Sequence, residues 1–386
     1  MNKLFYPLLV FFCIACSYNE KKGNNLEYVL ESTEHYIRFP LDNDTYSLNF
    51  PQQIIDKESN KKYWMFQNKS ASQLLVYEDG NVAELVKKIN LKQEGPEAVK
   101  PFVTFAIRNM NEIYVVDQYA RGFSVVDSTG KPTNYYLAKT KDGQSFYCKP
   151  FPELIGDSLF FTLYINHEIA FDERLKKSSL CAVFDLKTKR FHQLPFSYFD
   201  ITKEEDESYV NFNITRCYNE NKKTFVYTFE DTEYLFEVNL PHTNVRKIRI
   251  KSRYMQTKEL VKKTMSTLVL EDRMRKDLRE GSYGPIYYDK QNRVYYRLVY
   301  PPVEVPKGVN VTDFFRHGGH TFSIMILDEE FNVLSEHLLP QNTYCPNPMF
   351  VDKGGLYLME SHFLNPGYDE NVYPMRRFEL VRKEID

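Results

Sequence analysis

The chain has 386 residues, 42% of them hydrophobic, so it is long enough to bury a substantial core. Its formal net charge of -2 gives no electrostatic reason to expect a nucleic acid as a partner. The 15 Gly and 19 Pro exclude a collagen-like or low-complexity chain. The 29 Tyr and 29 Phe favour β-strands, because flat aromatic side chains suit a pleated, half-buried surface.

The first sixteen residues have the profile of a signal peptide. Lys3 supplies a positive charge, residues 4–14 are almost wholly apolar, and Ile14-Ala15-Cys16 ends the run. This run is too short to span a bilayer comfortably. Its ending resembles the lipobox of bacterial lipoproteins, although Cys13 stands where that motif usually has Leu. The resemblance implies cleavage before Cys16 and lipid on Cys16. The alternative is an ordinary signal peptide with a cleavage site that includes a cysteine.

The residues after Cys16 are predicted to form a tether. Residues 17–25 are polar and poor in apolar side chains, which is typical of a flexible linker. Several acyl chains on one cysteine give lasting membrane anchorage, where a single chain would be marginal. We therefore expect the membrane to be a partner through the N-terminal lipid.

Six pairs of short apolar strands follow along the chain. They are rich in β-branched, aromatic or leucine residues and are bounded by polar turns, which is the sequence pattern of strands. The first strands of the pairs are 63–66, 113–116, 159–163, 224–229, 294–299 and 356–359, and the second are 74–77, 123–126, 181–184, 234–238, 322–327 and 378–381.

A third strand precedes each pair, as at 102–107, and a fourth follows five of them, as at 245–250. The sixth pair has no fourth strand because the chain ends at Asp386, but residues 36–41 precede the first full set and are left unpaired. We therefore predict an all-β fold, a six-bladed β-propeller with four-stranded antiparallel blades, in which the N-terminal strand closes the last blade. The alternatives are two β-sandwiches or a seven-bladed propeller.

The predicted domains follow from this pattern. Residues 1–15 form the lipoprotein signal peptide, residues 16–35 the lipid-anchored flexible tether, and residues 36–386 the propeller. One segment, 256–280, breaks the strand pattern, since apolar residues recur at helical spacing among many charges and Gly281 can cap the end. We predict an amphipathic helix inserted between the fourth and fifth blades, either packed on the propeller or presented to a partner.

The four cysteines after Cys16 have no metal-ligand spacing and form no dense disulfide framework. We expect Cys148, Cys181, Cys217 and Cys345 to be buried free thiols. Cys148 and Cys217 are predicted on adjacent inner strands, so they are the one pair that needs to be checked for a disulfide.

Connection lengths point to one functional face. In antiparallel four-stranded blades, the first–second and third–fourth turns lie on one face, and the second–third and blade-to-blade connections lie on the other. Every long connection predicted here belongs to the second group, and long loops in a compact fold are usually functional. We therefore expect a single recognition surface on that face.

Residues with binding chemistry occur in these connections. Aromatic rings stack on ligands, while charged and amide groups fix their orientation. The alternative is that such residues only solvate the loops. The candidate ligand-binding residues are Asp117, Tyr119, Arg121, Asn166, His167, Arg316, His317, His320, Glu360 and His362.

We predict no metal site, cofactor or catalytic set. The pair His317 and His320 has ligand chemistry, but two ligands do not make a site, and the glycines between them equally suit a turn. No Gly-x-Ser-x-Gly or His-Glu-x-x-His motif occurs, and no Cys-x-x-Cys occurs after Cys16. An enzyme of the lactonase-like propeller type would need carboxylates and amides at the axis, where only Asn213 and Asn347 are candidates.

The chain as a whole resembles uncharacterised six-bladed propeller lipoproteins of Bacteroidetes, a domain of unknown function. The resemblance rests on the Ile14-Ala15-Cys16 ending, the Tyr- and Phe-rich blades, the Asp-Gly and Asp-x-x-Gly turns, and the late strand Arg377-Phe378-Glu379-Leu380. It implies a fold and an envelope location, at the outer membrane on either its periplasmic or its surface side.

We expect a monomeric, lipid-anchored binding protein that recognises a glycan, peptide or protein partner through the long-loop face. The alternative is a metal-dependent hydrolase of the lactonase-like type. The absence of a reaction-specific motif favours binding over catalysis, because a fold by itself does not determine function.

Overall fold

The computed structural model of the protein describes residues 26–45, 47–57, 59–117, 122–137, 145–147, 152–164, 178–202, 214–230, 232–255 and 269–384. Within these ranges the strands form six antiparallel sheets arranged as a ring of blades, which confirms the predicted six-bladed β-propeller. The last sheet has the order β1-β25-β24-β23, so the N-terminal strand does close the C-terminal blade.

The blades follow one another along the chain. Blade 1 contains β2 (Asn49–Ile55), β3 (Lys62–Asn68), β4 (Gln73–Glu78) and β5 (Glu84–Asn90); blade 2 contains β6 (Phe102–Asn109), β7 (Glu112–Asp117), β8 (Gly122–Val126) and β9 (Pro132–Leu137). Blade 3 contains β10 (Ser145–Tyr147), β11 (Glu153–Ile155), β12 (Ser158–Tyr164), β13 (Cys181–Asp185) and β14 (Arg190–Gln193), and both β10 and β11 pair with β12.

Blade 4 contains β15 (Ile214–Asn219), β16 (Thr224–Phe229), β17 (Tyr234–Asn239) and β18 (Val245–Arg249); blade 5 contains β19 (Ser282–Asp289), β20 (Val294–Tyr300), β21 (Ser323–Asp328) and β22 (Val333–Leu338). Blade 6 contains β23 (Cys345–Asp352), β24 (Gly355–Met359), β25 (Val372–Glu384) and β1 (Leu26–Pro40). The short helices are α1 (Tyr198–Thr202), α2 (Leu270–Glu280) and α3 (Val311–Arg316), with a 3₁₀ turn at Lys69–Ala71.

The core lies between blades rather than within one sheet. Each of six clusters of buried side chains joins two neighbouring blades. The second and third strands of a blade are covered on both faces by these clusters, so they have continuous apolar runs such as Gly355–Met359, which is buried throughout. The first strands of neighbouring blades contact one another around the axis, for example β23 with β2 and β2 with β6.

The N-terminal strand is longer than predicted. It begins at Leu26, where it pairs with Glu384, whereas the predicted propeller begins at residue 36. The predicted tether boundary at residue 35 is therefore wrong by ten residues. This part of β1 mixes the apolar residues Leu26, Tyr28, Val29 and Leu30 with three glutamates, and its pairing with β25 identifies it as a strand.

Closure of the ring depends on the second half of β1. Ile37 and Phe39 are buried in the cluster that joins blade 6 to blade 1, and the ring of Phe39 meets Phe66 edge-on at 4.8 Å between centroids. The Tyr77 hydroxyl of blade 1 donates to the carbonyl of Pro40 at 2.9 Å. The first and last parts of the chain are therefore joined by direct packing.

A buried ion pair joins blades 3 and 4. The Arg216 guanidinium donates from Nε to both carboxylate oxygens of Glu153, at 3.0 and 2.9 Å, and from Nη2 to the carbonyl of Phe160 at 2.9 Å. Its Nη1 donates to the Tyr227 hydroxyl at 3.1 Å, and that hydroxyl lies 2.6 Å from Nε2 of His242. Only 2% of Arg216 is exposed, so the charge is held entirely by these partners.

The predicted helix 256–280 is confirmed over Leu270–Glu280, between blades 4 and 5 as expected, while residues 256–268 lie outside the described residues. Cys181 and Cys345 are buried free thiols, as predicted, and Cys217 is a half-buried free thiol. Cys148, its candidate partner, lies outside the described residues. None of the helices in the described ranges is long and apolar enough to cross a membrane.

Candidate functional site

Strand direction defines two faces of the propeller. The turns between first and second strands and between third and fourth strands form what we name the short-loop face. The connections between second and third strands and between blades form the long-loop face. Because the strands in every blade are antiparallel, this assignment holds for all six blades.

The long connections lie on one face, as predicted. On the short-loop face the longest connection between the described strands is the six residues 56–61, between β2 and β3. On the long-loop face, five connections have twelve residues or more: 165–180, 194–213, 250–281, 301–322 and 360–371. The last two come from neighbouring blades 5 and 6 and are described throughout, so their side chains can be compared directly.

Helix α3 positions the first of the predicted histidines. The side chain of Asn310 caps the helix by accepting from the backbone N–H of Asp313 at 3.0 Å. His317 ends it, and its Nδ1 donates to the carbonyl of Asp313 at 2.7 Å. Gly318 and Gly319 then adopt positive φ angles of 79° and 77°, which turn the chain back towards β21. The glycines between the two histidines therefore serve the turn.

His362 joins the two long loops. It is fully buried, with Nε2 2.9 Å from the carbonyl of Gly319 and Nδ1 accepting from the backbone N–H of Leu364 at 3.2 Å. Burial and the neighbouring His317 and His320 lower its pKa to about 4. Both ring nitrogens are occupied, so His362 supports the loops from within and does not face a ligand.

The other two histidines keep one nitrogen available. His320 lies with Nδ1 3.0 Å from Oδ1 of Asn342, and its ring meets Phe314 edge-on at 4.8 Å. Within the described residues, nothing is hydrogen-bonded to Nε2 of His317 or of His320. Each of these nitrogens can therefore accept a hydrogen bond when the ring is neutral and donate one when it is protonated.

An aromatic ring lies against each of these histidines, and further aromatic rings are exposed on the same loops. Phe363 lies 4.8 Å from the ring of His317, while Phe315 and Tyr368 are 38% and 44% exposed. Burial and the carboxylates of Glu370, Asp313 and Asp369 raise the pKa of Tyr368, so its phenol lies within electrostatic reach of α3. We name this area the blade 5–6 surface; it comprises Phe315, Arg316, His317, Phe363 and Tyr368.

Two other predicted residues are held in place by the protein itself. Asp117, at the end of β7, is 2% exposed; its carboxylate accepts from the Tyr135 hydroxyl at 3.3 Å and lies 3.4 Å from Nζ of Lys100. Glu360 accepts from the Tyr36 hydroxyl at 2.5 Å and pairs with Arg376 at 2.9 Å within blade 6. Both carboxylates lie at the long-loop ends of their strands, but they do not approach the blade 5–6 surface through any described contact.

The remaining candidates lie outside the described residues: Cys16, Tyr119, Arg121, Asn166 and His167. Sequence reasoning did not select Phe315 or Phe363, although each adjoins a selected residue, Arg316 or His362. It also missed Asn342, which orients His320 from the connection between blades 5 and 6. No sequence pattern relates Asn342 to His320, because their contact depends on the packing of two connections.

The metal-dependent alternative gains no support from the described part of the chain. There, no three His, Cys, Asp or Glu side chains are placed to hold a metal ion together. Of the two axial candidates, Asn347 is exposed on β23, and Asn213 lies outside the described residues.

We expect His362 to make the protein less stable in mild acid. Its folded pKa of about 4 lies below the ordinary value of 6.5, so between these values the unfolded chain takes up a proton that the folded chain does not. Stability is therefore fully present above pH 6.5 and falls as the pH decreases, by about 2.5 kcal/mol at pH 4.5. Urea unfolding at pH 7 and pH 4.5 measures this difference.

The control for this prediction is His362→Asn, which keeps a donor and an acceptor but does not titrate. We expect a smaller loss of stability between pH 7 and pH 4.5 than in the unsubstituted protein. Some loss remains, because burial also lowers the pKa of His242 to about 4. An equal loss in both proteins would assign the pH dependence to other groups.

Comparison with known proteins places the chain in a family. A family model described as a domain of unknown function, DUF4221, matches residues 28–338. The chain is similar to a solved member of that family from Bacteroides vulgatus, with 23% identity over 94% of this chain and 100% of the other and a TM-score of 0.79. It is also similar to a candidate exported protein from Bacteroides fragilis, with 10% identity over 92% of this chain and 95% of the other and a TM-score of 0.55.

At these identities the solved structures show a shared fold, and no curated protein matches the chain. The resemblance to Bacteroidetes propellers is nevertheless confirmed by the family model and by the six blades. Since the family model spans well over half of its length, the chain belongs to the DUF4221 family.

Proposed function

We propose that the protein is a lipid-anchored binding protein of the cell envelope, held at the outer membrane, which recognises a glycan, peptide or protein partner through the long-loop face. The observation that carries this proposal is the blade 5–6 surface. There, two long loops from neighbouring blades combine exposed aromatic rings, a guanidinium and an imidazole with an available nitrogen.

The chemistry of this surface suits recognition. Aromatic rings supply contact area at low entropic cost, and Arg and His supply directional hydrogen bonds. The buried His362 and the helix cap at Asn310 hold the loops that carry these groups, so little ordering is required when a ligand binds.

The envelope location rests on the N-terminal sequence and on one relative. Residues 4–16 have the apolar run and the Ile-Ala-Cys ending of a lipoprotein signal, and the similar Bacteroides fragilis protein is described as a candidate exported protein. Lipid on Cys16 would keep the propeller at a membrane without a spanning helix.

A binding screen tests this function. The chain from Ser17 onwards is applied to glycan and peptide arrays, and hits are measured by calorimetry with Arg316→Ala and Tyr368→Ala. We expect each substitution to weaken binding at least about tenfold, since residues at the centre of an interface cost more than about 1.4 kcal/mol when truncated.

Lys57→Ala is the matched control for Arg316→Ala. Lys57 is an exposed cation on the short-loop face, so its loss should leave affinity within about twofold. A ligand that binds the two substituted proteins and the control equally well would place the site away from the blade 5–6 surface. Binding that depends on an added divalent cation would favour the hydrolase alternative instead.

A further inference from the structure

We propose that the turn 240–244 of blade 4 is an acid-sensitive contact with blade 3, which opens locally when His242 is protonated while the rest of the propeller stays folded. The turn joins β17 to β18 on the short-loop face. This contact is independent of the proposed binding function, because the turn lies on the opposite face from the blade 5–6 surface. Three features carry the proposal: the burial of the His242 ring, its hydrogen bonds and the charge beside it.

His242 is the only fully buried residue of the turn. It is 1% exposed, whereas its neighbours Pro241, Thr243 and Asn244 are all exposed. The imidazole stacks on the ring of Phe160 in blade 3, with 6.2 Å between the ring centroids and 18° between the planes. The imidazole is therefore the side chain through which the turn is held against the neighbouring blade.

The backbone of the turn depends on the same residue. His242 has a φ of 59°, a left-handed conformation that costs free energy for any residue with a side chain. Its backbone N–H donates to the carbonyl of Asn239 at 2.8 Å, and the Asn239 side chain accepts from the N–H groups of Thr243 and Asn244 at 2.8 and 2.9 Å. If the ring leaves its place, the packing that maintains this conformation is lost, so the hydrogen bonds of the turn are expected to open with it.

Only a neutral imidazole fits the hydrogen bonds of the closed turn. Nδ1 of His242 lies 2.8 Å from the carbonyl of Leu240, which can only accept, so Nδ1 carries the proton. Nε2 therefore accepts from the Tyr227 hydroxyl at 2.6 Å. The oxygen of this hydroxyl already accepts from Nη1 of Arg216 at 3.1 Å. A proton on Nε2 would thus replace the bond from Tyr227 with a second donor that faces an occupied oxygen.

The ionisable groups around the ring do not favour a second cation. Arg216 of β15 is itself charged, and its Nε donates to both carboxylate oxygens of Glu153 in β11. Burial raises the pKa of Tyr227 in β16 and of Cys181 in β13, so both stay neutral. Burial and the charge of Arg216 lower the pKa of His242 to about 4 from the ordinary value of 6.5. At pH 5 the ring is therefore neutral in the closed turn but protonated once it is exposed to solvent.

Hydrogen–deuterium exchange followed by mass spectrometry tests the local opening. The protein is measured at pH 7 and pH 5, and the protection of each peptide is taken relative to its intrinsic exchange rate at that pH. With a pKa of about 4 in the closed turn and 6.5 in the open turn, we expect the protection of residues 240–244 to fall about twentyfold. The emission of Trp64, in blade 1, should stay the same because the propeller remains folded.

The turn 186–189 of blade 3 is the matched control within the same molecule. It also joins a third strand to a fourth, and the backbone N–H groups of Thr188 and Lys187 both donate to Asp185 at 2.8 Å. These bonds lower the pKa of Asp185, so the carboxylate stays charged at pH 5, and we expect the protection of this turn to change by less than about twofold. An equal fall in the two turns, or a uniform fall in all peptides, would overturn the local opening.

Two variants that cannot titrate test whether His242 is the responsible group. His242→Gln keeps a side chain of similar length, and His242→Asn suits the left-handed backbone. In either variant we expect the pH dependence of residues 240–244 to fall to that of the turn 186–189. If a folded variant keeps the twentyfold change, another group such as Glu153 controls the turn and the proposal is wrong. The comparison of the two turns in the unsubstituted protein decides the matter even where a variant does not fold.

Discussion

Arg216→Ala is expected to lower the free energy of unfolding by about 3–5 kcal/mol, which is the usual cost of removing one partner from a buried ion pair. The substitution removes every donor that Arg216 presents to Glu153, Phe160 and Tyr227. Burial already raises the pKa of Glu153, and without the guanidinium its carboxyl would take up a proton rather than stay charged between the blades. Urea unfolding followed by circular dichroism measures the change.

The double variant Glu153→Gln with Arg216→Met separates charge from packing. A buried pair replaced by groups of similar volume often costs little, so we expect the double variant to be clearly more stable than Arg216→Ala. If both variants lose the same free energy of unfolding, the effect comes from lost packing and not from the uncompensated carboxyl of Glu153. The carbonyl of Phe160 loses its side-chain donor in both proteins, so it does not bias the comparison.

Phe39→Ala is expected to destabilise the protein by about 3–5 kcal/mol, the usual cost of truncating a fully buried phenylalanine. Phe39 is 0% exposed, and its ring contacts those of Trp64, Phe66 and Tyr77 in blade 1. It is thus the main side chain through which β1 connects the end of the ring to its beginning. Trp64 is the single tryptophan of the chain, so its fluorescence reports on this junction directly.

The neighbouring Arg38 provides the control for this substitution. Its side chain is exposed and lies over the ring of Tyr36 at 4.3 Å, so Arg38→Ala should cost no more than about 1 kcal/mol. Losses of equal size in the two variants would show that the junction depends on the β1–β25 ladder and not on the packing of Phe39. If the emission of Trp64 in the folded protein changes in Phe39→Ala but not in Arg38→Ala, the packing of Phe39 against blade 1 is responsible for the loss of stability.

The two faces of the propeller differ in the described residues. The short-loop face carries turns of six residues or fewer, whereas the long-loop face combines long connections with exposed aromatic and basic side chains.

Most of the architecture could be predicted from the sequence because the blade pattern is local. Strands such as β7 and β16 are short apolar runs between polar turns, and their bounds were predicted within one residue. The last blade has no fourth strand of its own, and one strand at the N-terminus is left over. Together these two features predict that the N-terminal strand completes the last blade and closes the ring. The first half of β1 was assigned to the tether although Leu26, Tyr28, Val29 and Leu30 are apolar, because glutamates interrupt them and the pairing with β25 is visible only in the folded chain.

The candidate site could be predicted less well, because contacts between loops leave no periodic pattern. The sequence by itself determined that long connections belong to one face and that His317, His320 and His362 lie within them. Only the tertiary structure decided that His362 is buried as a support between loops while His317 lies beside Phe363. The reason is physical. The spacing of strands follows from local hydrogen bonding and burial, whereas the role of a loop side chain depends on which distant segment packs against it.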